Sequence, residues 1–408
     1  MERPLPGRYR VLDSIRRHGP ISRVEIADVS GLSPSAVTAV TRALLAEGWI
    51  RELSEGDADG GYTRGRPRVM LAIEPGAANV IGVKLSLHQM SVAVTDFSGD
   101  VLHTVSLPFN GSQPPDIVTD LIELGVRRCL KEADIAAGRV LGLCVAIPGY
   151  INHDEGLCYW SPVFDRNDVA LGALLGERLP FETAIENDAN MVTLAEHWFG
   201  KGRNLSNFAV VTVEHGVGMG LVTHDRLYRG AAGIGPEFGH AKVSFDGRPC
   251  RCGQLGCVEA YASDYAILRE VLPHFRLDAY VADPRAYYPE LARITAEAEA
   301  GNNAIRDVFA EAGRVLGRAI GNLVATLNPP AIIVTGDGLR AGEMMFGPMQ
   351  EEVRRLQLPG NQVETEIILH GWGDDVWARG AAALVLQEVY SRSDGEPAAR
   401  QLGAAPLG

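Results

Sequence analysis

At 408 residues, with 46% hydrophobic and 22% charged side chains, the chain has the makeup of two or three globular domains, not of a disordered or fibrous protein. No run approaches the ~18 unbroken apolar residues of a membrane helix, and the opening MERPLPGRYR has no apolar signal core, so a cytoplasmic protein without membrane contact is expected. The net charge of -13 is unevenly spread: residues 1–70 hold 11 Lys+Arg against 9 Asp+Glu, and the remainder 27 against 42. An acidic body repels nucleic acid, so any such contact must come from the N-terminal segment.

In that segment Val11, Leu12 and Ile15 recur at helical spacing in RYRVLDSIRRH, and Gly19-Pro20 ends the helix. Ser22 is placed to cap a second short helix whose apolar side is Val24, Ile26, Ala27 and Val29, with Gly31 as its terminator. Ser33 caps a third, with Pro34 in the first turn and Ala36, Val37, Val40, Leu44 and Leu45 as the buried stripe. Ser35, Thr38, Thr41 and Arg42 are expected on its free face, together with the small Ala39. WIREL and RVMLAI then read as a β-hairpin with a polar, Gly-rich tip carrying Arg64, Arg66 and Arg68 around Gly65 and Pro67. A short polar-faced helix after a tight turn, followed by a basic ribbon, is the pattern of a winged helix-turn-helix over residues 1–73 that reads double-stranded DNA.

From residue 79 the pattern changes. NVIGVKLSLHQMSVAVTDFSGDVLHTVSLPF reads as three strands, followed by a helix over 116–132 and the buried strand VLGLCVAIPG. A long amphipathic helix over 303–327 precedes the strand AIIVTGDG. Strands followed by helices indicate an α/β body. Cys129, Cys144 and Cys158 read as buried thiols, and the polar tail 391–408 as disordered. Cys250, Cys252 and Cys257 fall within eight residues, which in a reducing compartment points to a metal and not to a disulfide.

Three runs become specific: Glu186-Asn187-Asp188-Ala189-Asn190, GIGPEFGHAKV, and CRCGQLGCVEAYAS. Together they resemble the ROK family of sugar kinases and sugar-responsive repressors over residues 74–390. The resemblance implies a two-lobed, actin-like (ribonuclease H-like) sugar-kinase fold with a sugar site in its cleft. The winged helix in front is similar to that of the family's xylose and N-acetylglucosamine repressors.

His240 precedes the C-x-C-x₄-C run by ten residues. One imidazole and three thiolates, His240, Cys250, Cys252 and Cys257, make a closed tetrahedral shell for structural zinc in the loop 240–257, with no position left for water; the resemblance implies the same ligand set. It also implies that Asn187, Asp188, Glu237, His240 and Glu259 hold a sugar or amino sugar through its hydroxyls. Asp188 matches the catalytic base of the kinases.

Phosphoryl transfer needs glycine loops that let backbone N–H groups approach phosphate. The kinases' Asp-x-Gly-Gly-Thr loop is here Lys84-Leu85-Ser86-Leu87-His88, and their second loop is Glu214-His215-Gly216-Val217-Gly218-Met219-Gly220. Both are degenerate, and Gly336-Asp337-Gly338 reads as a strand-end turn. The sequence therefore predicts a non-enzymatic, sugar-responsive transcriptional regulator of carbohydrate genes, a repressor, acting as a homodimer or homotetramer on an operator. The alternatives are an ATP-dependent sugar kinase with an appended DNA-binding domain, and a repressor governed by a protein partner.

Overall fold

The computed structural model describes residues 6–53, 69–357, 364–373 and 375–391. The chain divides into two units, one of residues 1–198 with 377–408 and one of residues 199–376.

The first unit begins with the helix-turn-helix head. Its helices run Gly7–His18, Arg23–Ser30 and Pro34–Ala46. Val11, Leu12, Ile15, Ile26, Val37 and Leu44 form the core expected from their spacing. Ser22 starts the second helix with a capping box, its hydroxyl taking the Glu25 N–H while the Glu25 carboxylate takes the Ser22 N–H. Ser33 caps the third helix by accepting from the Ala36 N–H, and Pro34 occupies the first turn. The expected hairpin pairs Ile50–Leu53 with Met70–Ile73 in antiparallel register. A short strand, Ile21–Ser22, adds to its other edge through Ile21 opposite Leu71. One expectation fails here. Val24 and Val29 stand 59% and 54% exposed, so Ile26 alone anchors that helix fully. The tip with Arg64, Arg66 and Arg68 lies outside the described residues.

Behind the head is a five-stranded sheet ordered Glu182–Asn187, Val140–Ile147, Asn79–Leu85, Gln89–Asp96, Val101–Pro108. The first three run parallel, Gln89–Asp96 returns antiparallel to Asn79–Leu85, and Val101–Pro108 is antiparallel to Gln89–Asp96 in turn. Every residue of Val140–Ile147 is buried, as a parallel strand covered on both faces requires. The helix Pro115–Glu132 lies on one face, where Gly125 would bring a Cβ 2.9 Å from Val92 and Met90. The C-terminal helix Val376–Tyr390 covers the other, against Gly82 and Gly142. Cys129, Cys144 and Cys158 are buried as expected, and burial pushes the Cys129 thiol up to about 11.

The second unit repeats this strand plan. Its sheet is ordered Arg226–Leu227, Val217–Thr223, Phe208–Val213, Ala331–Thr335, Glu366–Leu369. Again a meander of three strands is followed by two parallel additions on the far side of the first strand. The helix Asn303–Leu327 carries Gly313, Gly317 and Gly321 one turn apart, and all three abut the helix Gly342–Leu356. Side chains there would collide with the Met345 and Met349 carbonyls, so the stripe sets how closely the two helices pack. The fold is thus a winged helix-turn-helix followed by two α/β lobes of one topology.

Candidate functional site

On the helix Pro34–Ala46, Ser35, Thr38, Ala39 and Arg42 are exposed along one face. Thr38 donates to the Pro34 carbonyl at 2.8 Å, and Ser35 shares a 3.1 Å contact with Ser33. Thr41 departs from the expectation: it is fully buried and accepts from Arg23 Nε at 3.2 Å. The third helix turns it inward, one step from the Val37–Leu44 stripe, where its hydroxyl also donates to the Thr38 carbonyl. Arg23 in turn pairs with Glu52 on the hairpin at 2.8 Å. Thr41 therefore ties helix to wing and presents nothing to a DNA groove.

The second unit builds the metal cluster. The short turn Phe238–His240 brings His240 to the Cys250–Cys257 loop, and one ligand atom from each of His240, Cys250, Cys252 and Cys257 lies within 4.8 Å of all the others. His240 Nδ1 is 3.8 Å from Cys250 Sγ, and Cys252 Sγ is 3.7 Å from Cys257 Sγ. A zinc ion with metal–sulfur bonds of about 2.3 Å has tetrahedral edges of about 3.8 Å, so the donors fit that ion in both type and spacing. Gly253 and Gly256 adopt positive φ of 84° and 73°, which the loop needs to wrap the four donors. Lys242 Nζ sits 2.8 Å from Cys257 Sγ, a contact that favours thiolate. Burial pushes the Cys257 thiol up to about 11 with no ion bound; a bound cation would reverse that preference.

The expected sugar contacts divide between the units. In the second, the outward nitrogen of His240, Nε2, lies 4.0 Å from the exposed Glu237 carboxylate. Glu259 is placed otherwise than expected. It is 2% exposed, and Arg251 takes both of its oxygens at 2.7 and 3.0 Å. The Val217 N–H donates to the same carboxylate at 3.2 Å. Glu259 is thus the buried half of an ion pair beside the cluster, not an open acceptor, because a lone carboxylate at that depth would be costly without Arg251.

In the first unit Asn187 and Asp188 open the helix Asp188–Phe199. Asn187 acts as its cap, with Oδ1 accepting from the Ala189 N–H at 2.9 Å and Nδ2 donating to the Gly149 carbonyl at 3.1 Å. Fully buried Glu186 braces the motif by accepting from the Asn187 N–H and from Asn190 Nδ2, both at 2.9 Å. Asp188 is half-buried, with Oδ1 near the Ala189 N–H at 3.0 Å. The bracing role of Glu186 was missed in the sequence, although it sits in the same motif.

The two runs compared above with the kinases' phosphate loops are each closed by their own turn hydrogen bonds. In Lys84–His88 the Ser86 N–H donates to the Gln89 carbonyl at 2.9 Å and the Ser86 hydroxyl caps the same turn. In the second loop the Glu214 N–H donates to the Gly216 carbonyl at 2.8 Å. Gly216 lies against the Arg251–Glu259 pair, and Gly336 against the Glu214 side chain. His215 is walled in by Tyr280 and Tyr288, whose hydroxyls lie 2.8 and 3.0 Å from its ring nitrogens, with Tyr288 stacked on it. Burial lowers the His215 pKa against the pull of Asp264 and Asp337.

Comparison with known proteins fits this architecture. The ROK family profile matches residues 80–388, and the MarR family profile matches residues 6–56. The xylose repressor of Bacillus subtilis is 26% identical over 379 residues, covering 92% of this chain and 94% of that one. The DNA-binding transcriptional dual regulator NagC of Escherichia coli is 26% identical over 377 residues, covering 92% and 90%. A crystal structure of a ROK family transcriptional regulator, a homologue of the Escherichia coli MLC protein, is 26% identical with a TM-score of 0.77 and covers 94% of this chain and 96% of that chain. A ROK family glucokinase from Streptomyces griseus, in complex with glucose and AMPPNP, is 25% identical with a TM-score of 0.62, covering 75% of this chain and 99% of that chain. The regulators thus cover more than nine-tenths of this chain, and the kinase three-quarters of it. With the family profile spanning residues 80–388 of 408, this chain belongs to the ROK family.

Proposed function

We propose that this protein is a sugar-responsive, DNA-binding transcriptional repressor of carbohydrate genes. The observation that carries the reading is the joining, in one chain, of an exposed Ser35–Thr38–Arg42 helix face to a sugar-kinase body. Regulators named for xylose and N-acetylglucosamine match more than nine-tenths of the chain. Arg42 contributes phosphate or base-edge contact and Ser35 and Thr38 short polar contacts, with Arg64, Arg66 and Arg68 adding charge from the wing. One head buries too little surface for tight specific binding, so two subunits on two half-sites are proposed.

The effector is a sugar or amino sugar, with Asn187, Asp188, Glu237, His240 and Glu259 as its assigned contacts. The exposed Glu237 carboxylate accepts from sugar hydroxyls, and the Nε2 side of His240 lies beside it. Asp188 offers a carboxylate, and Asn187 takes part through its capping amide. Glu259 acts only if Arg251 releases it. His240, Cys250, Cys252 and Cys257 hold structural zinc, which would fix the His240 ring from its Nδ1 side. Four protein donors leave the ion no open position for chemistry. The closed Ser86–Gln89 turn and the Glu214 side chain against Gly336 speak against ATP turnover. Asp188 then survives as a hydroxyl acceptor, not as a base.

The test is a thermal-shift screen against D-xylose, D-glucose and N-acetyl-D-glucosamine, with and without ATP, paired with a coupled ATP-consumption assay. A sugar that raises the melting temperature without ATP use supports the repressor. Turnover that depends on Asp188 would establish the kinase instead.

A further inference from the structure

The helix Asp188–Phe199 begins at the proposed sugar contacts and ends against the DNA-binding head. Its twelve residues span about 18 Å. Its residues from Ala189 to Trp198 are nearly all buried, including Glu196 and His197, so it is clamped on all sides and moves as a body. Gly380 of the C-terminal helix lies directly on the Met191 carbonyl, which locks these two helices together. At the far end, Arg16 of the head donates to the Trp198 carbonyl at 2.7 Å, and its guanidinium lies 4.2 Å over the Trp198 ring. A cation at a helix C-terminus is favoured by the peptide dipoles as well as by the hydrogen bond. Arg16 is held in place by Asp13, at 3.1 Å from its Nε. Tyr390 touches Trp198 with ring centroids at 5.5 Å and Tyr9 of the head at 6.3 Å. A second contact, Trp49 on Phe97 at 5.2 Å, lies beside the chain connection, where the Glu74 N–H donates to the Trp49 carbonyl. The head is thus seated on a run of rings that leads from Trp49 through Phe97 and Tyr390, 6.0 Å apart, to Trp198, with Arg16 on the end of a single rigid helix.

We infer that Arg16 on Trp198 is the joint through which the state of the Asn187–Asp188 end reaches the DNA-binding head. The inference rests on the proposed sugar reading for the identity of the input, but not for the existence of the joint. A displacement of the capped end is carried along the helix axis to the Trp198 carbonyl. There a directional hydrogen bond and a ring contact are both sensitive to shifts of about 1 Å. Breaking them leaves the ring contacts of Trp49 with Phe97 and of Tyr9 with Tyr390 as the pivot. Arg16 is a positioning residue in this scheme; it touches neither sugar nor DNA.

The test uses the full chain, wild type against Arg16→Met, which keeps the apolar stem, and Arg16→Lys, which keeps the charge. The DNA probe is a duplex selected from a random-sequence pool by the wild-type protein. Two readouts are taken: the ratio of operator affinities with and without each of D-xylose, D-glucose and N-acetyl-D-glucosamine, and amide exchange over residues 188–199 with and without DNA. Coupling of this kind changes affinity by about 5- to 150-fold. The expected result is that Arg16→Met holds sugar-free operator affinity within about threefold but collapses the sugar ratio toward one, while Arg16→Lys restores part of it. DNA binding should slow exchange over 188–199 in the wild type and not in Arg16→Met. An Arg16→Met protein with the full wild-type sugar ratio, or a wild-type helix whose exchange ignores DNA, overturns the joint. If no sugar binds while DNA still slows the helix through Arg16, the sugar reading fails and the joint stands.

Discussion

His240 faces Cys250 with Nδ1 at 3.8 Å and turns Nε2 toward Glu237 at 4.0 Å, so one imidazole links the metal cluster to an exposed carboxylate. Loss of the ion would free the ring and the loop that orients it. Cys252→Ser should lower the zinc bound per chain, measured by elemental analysis, and weaken the sugar response before it affects operator binding. An unchanged metal ratio would refute the ligand set.

Glu237→Gln keeps the shape and removes the charge. A hydrogen bond from a hydroxyl to a carboxylate contributes about 1.5–3 kcal/mol, so sugar affinity should fall at least tenfold by calorimetry. Operator affinity without sugar should not change. Equal sugar affinity in the variant would remove Glu237 from the site.

On the head, Arg42 and Thr41 are adjacent in sequence but opposite in exposure. Arg42→Ala should weaken operator binding and lower the slope of log affinity against log salt by about one. Thr41→Val should leave that slope alone. It should cost stability instead, by about 1 kcal/mol, because the Arg23 contact is lost. Shift assays across salt, with thermal melts, separate the two.

His215 has a pKa held below its ordinary value of about 6.5, chiefly by burial. Above that value it is neutral whether folded or unfolded and adds no pH dependence. As pH falls below it, the unfolded chain takes up a proton that the folded chain refuses, so stability drops until the folded pKa is reached. His215→Phe should therefore lose less melting temperature than wild type between about pH 7 and pH 5. Parallel curves for the two proteins would contradict the assignment.

Gly380→Ala places a methyl group on the Met191 carbonyl, with backbone on both sides and no flexible side chain to yield. A destabilisation of about 1–3 kcal/mol in urea unfolding is expected. An unaltered midpoint would mean that the C-terminal helix can slide on its neighbour.

Much of the architecture was legible in the amino-acid order because it depends on local chemistry. Ser22 and Ser33 announce helix starts, Val11, Leu12 and Ile15 repeat at the helical period, and the strand Val140–Ile147 reads as an unbroken apolar run. The cluster of His240 with three cysteines was equally visible, since its donors lie within one short stretch of chain. Other features depend on what arrives from elsewhere in the fold. Thr41 is polar and could have faced either way; Arg23 drew it inward. Glu259 had the right spacing for a ligand, but Arg251 beside it takes up its charge. Arg16 and Trp198 are 182 positions apart, and no periodicity couples them; packing alone brings a guanidinium onto the end of that helix. Side-chain type and spacing are short-range information, whereas burial and pairing are set by the three-dimensional neighbours of each group, and those exist only once the chain has folded.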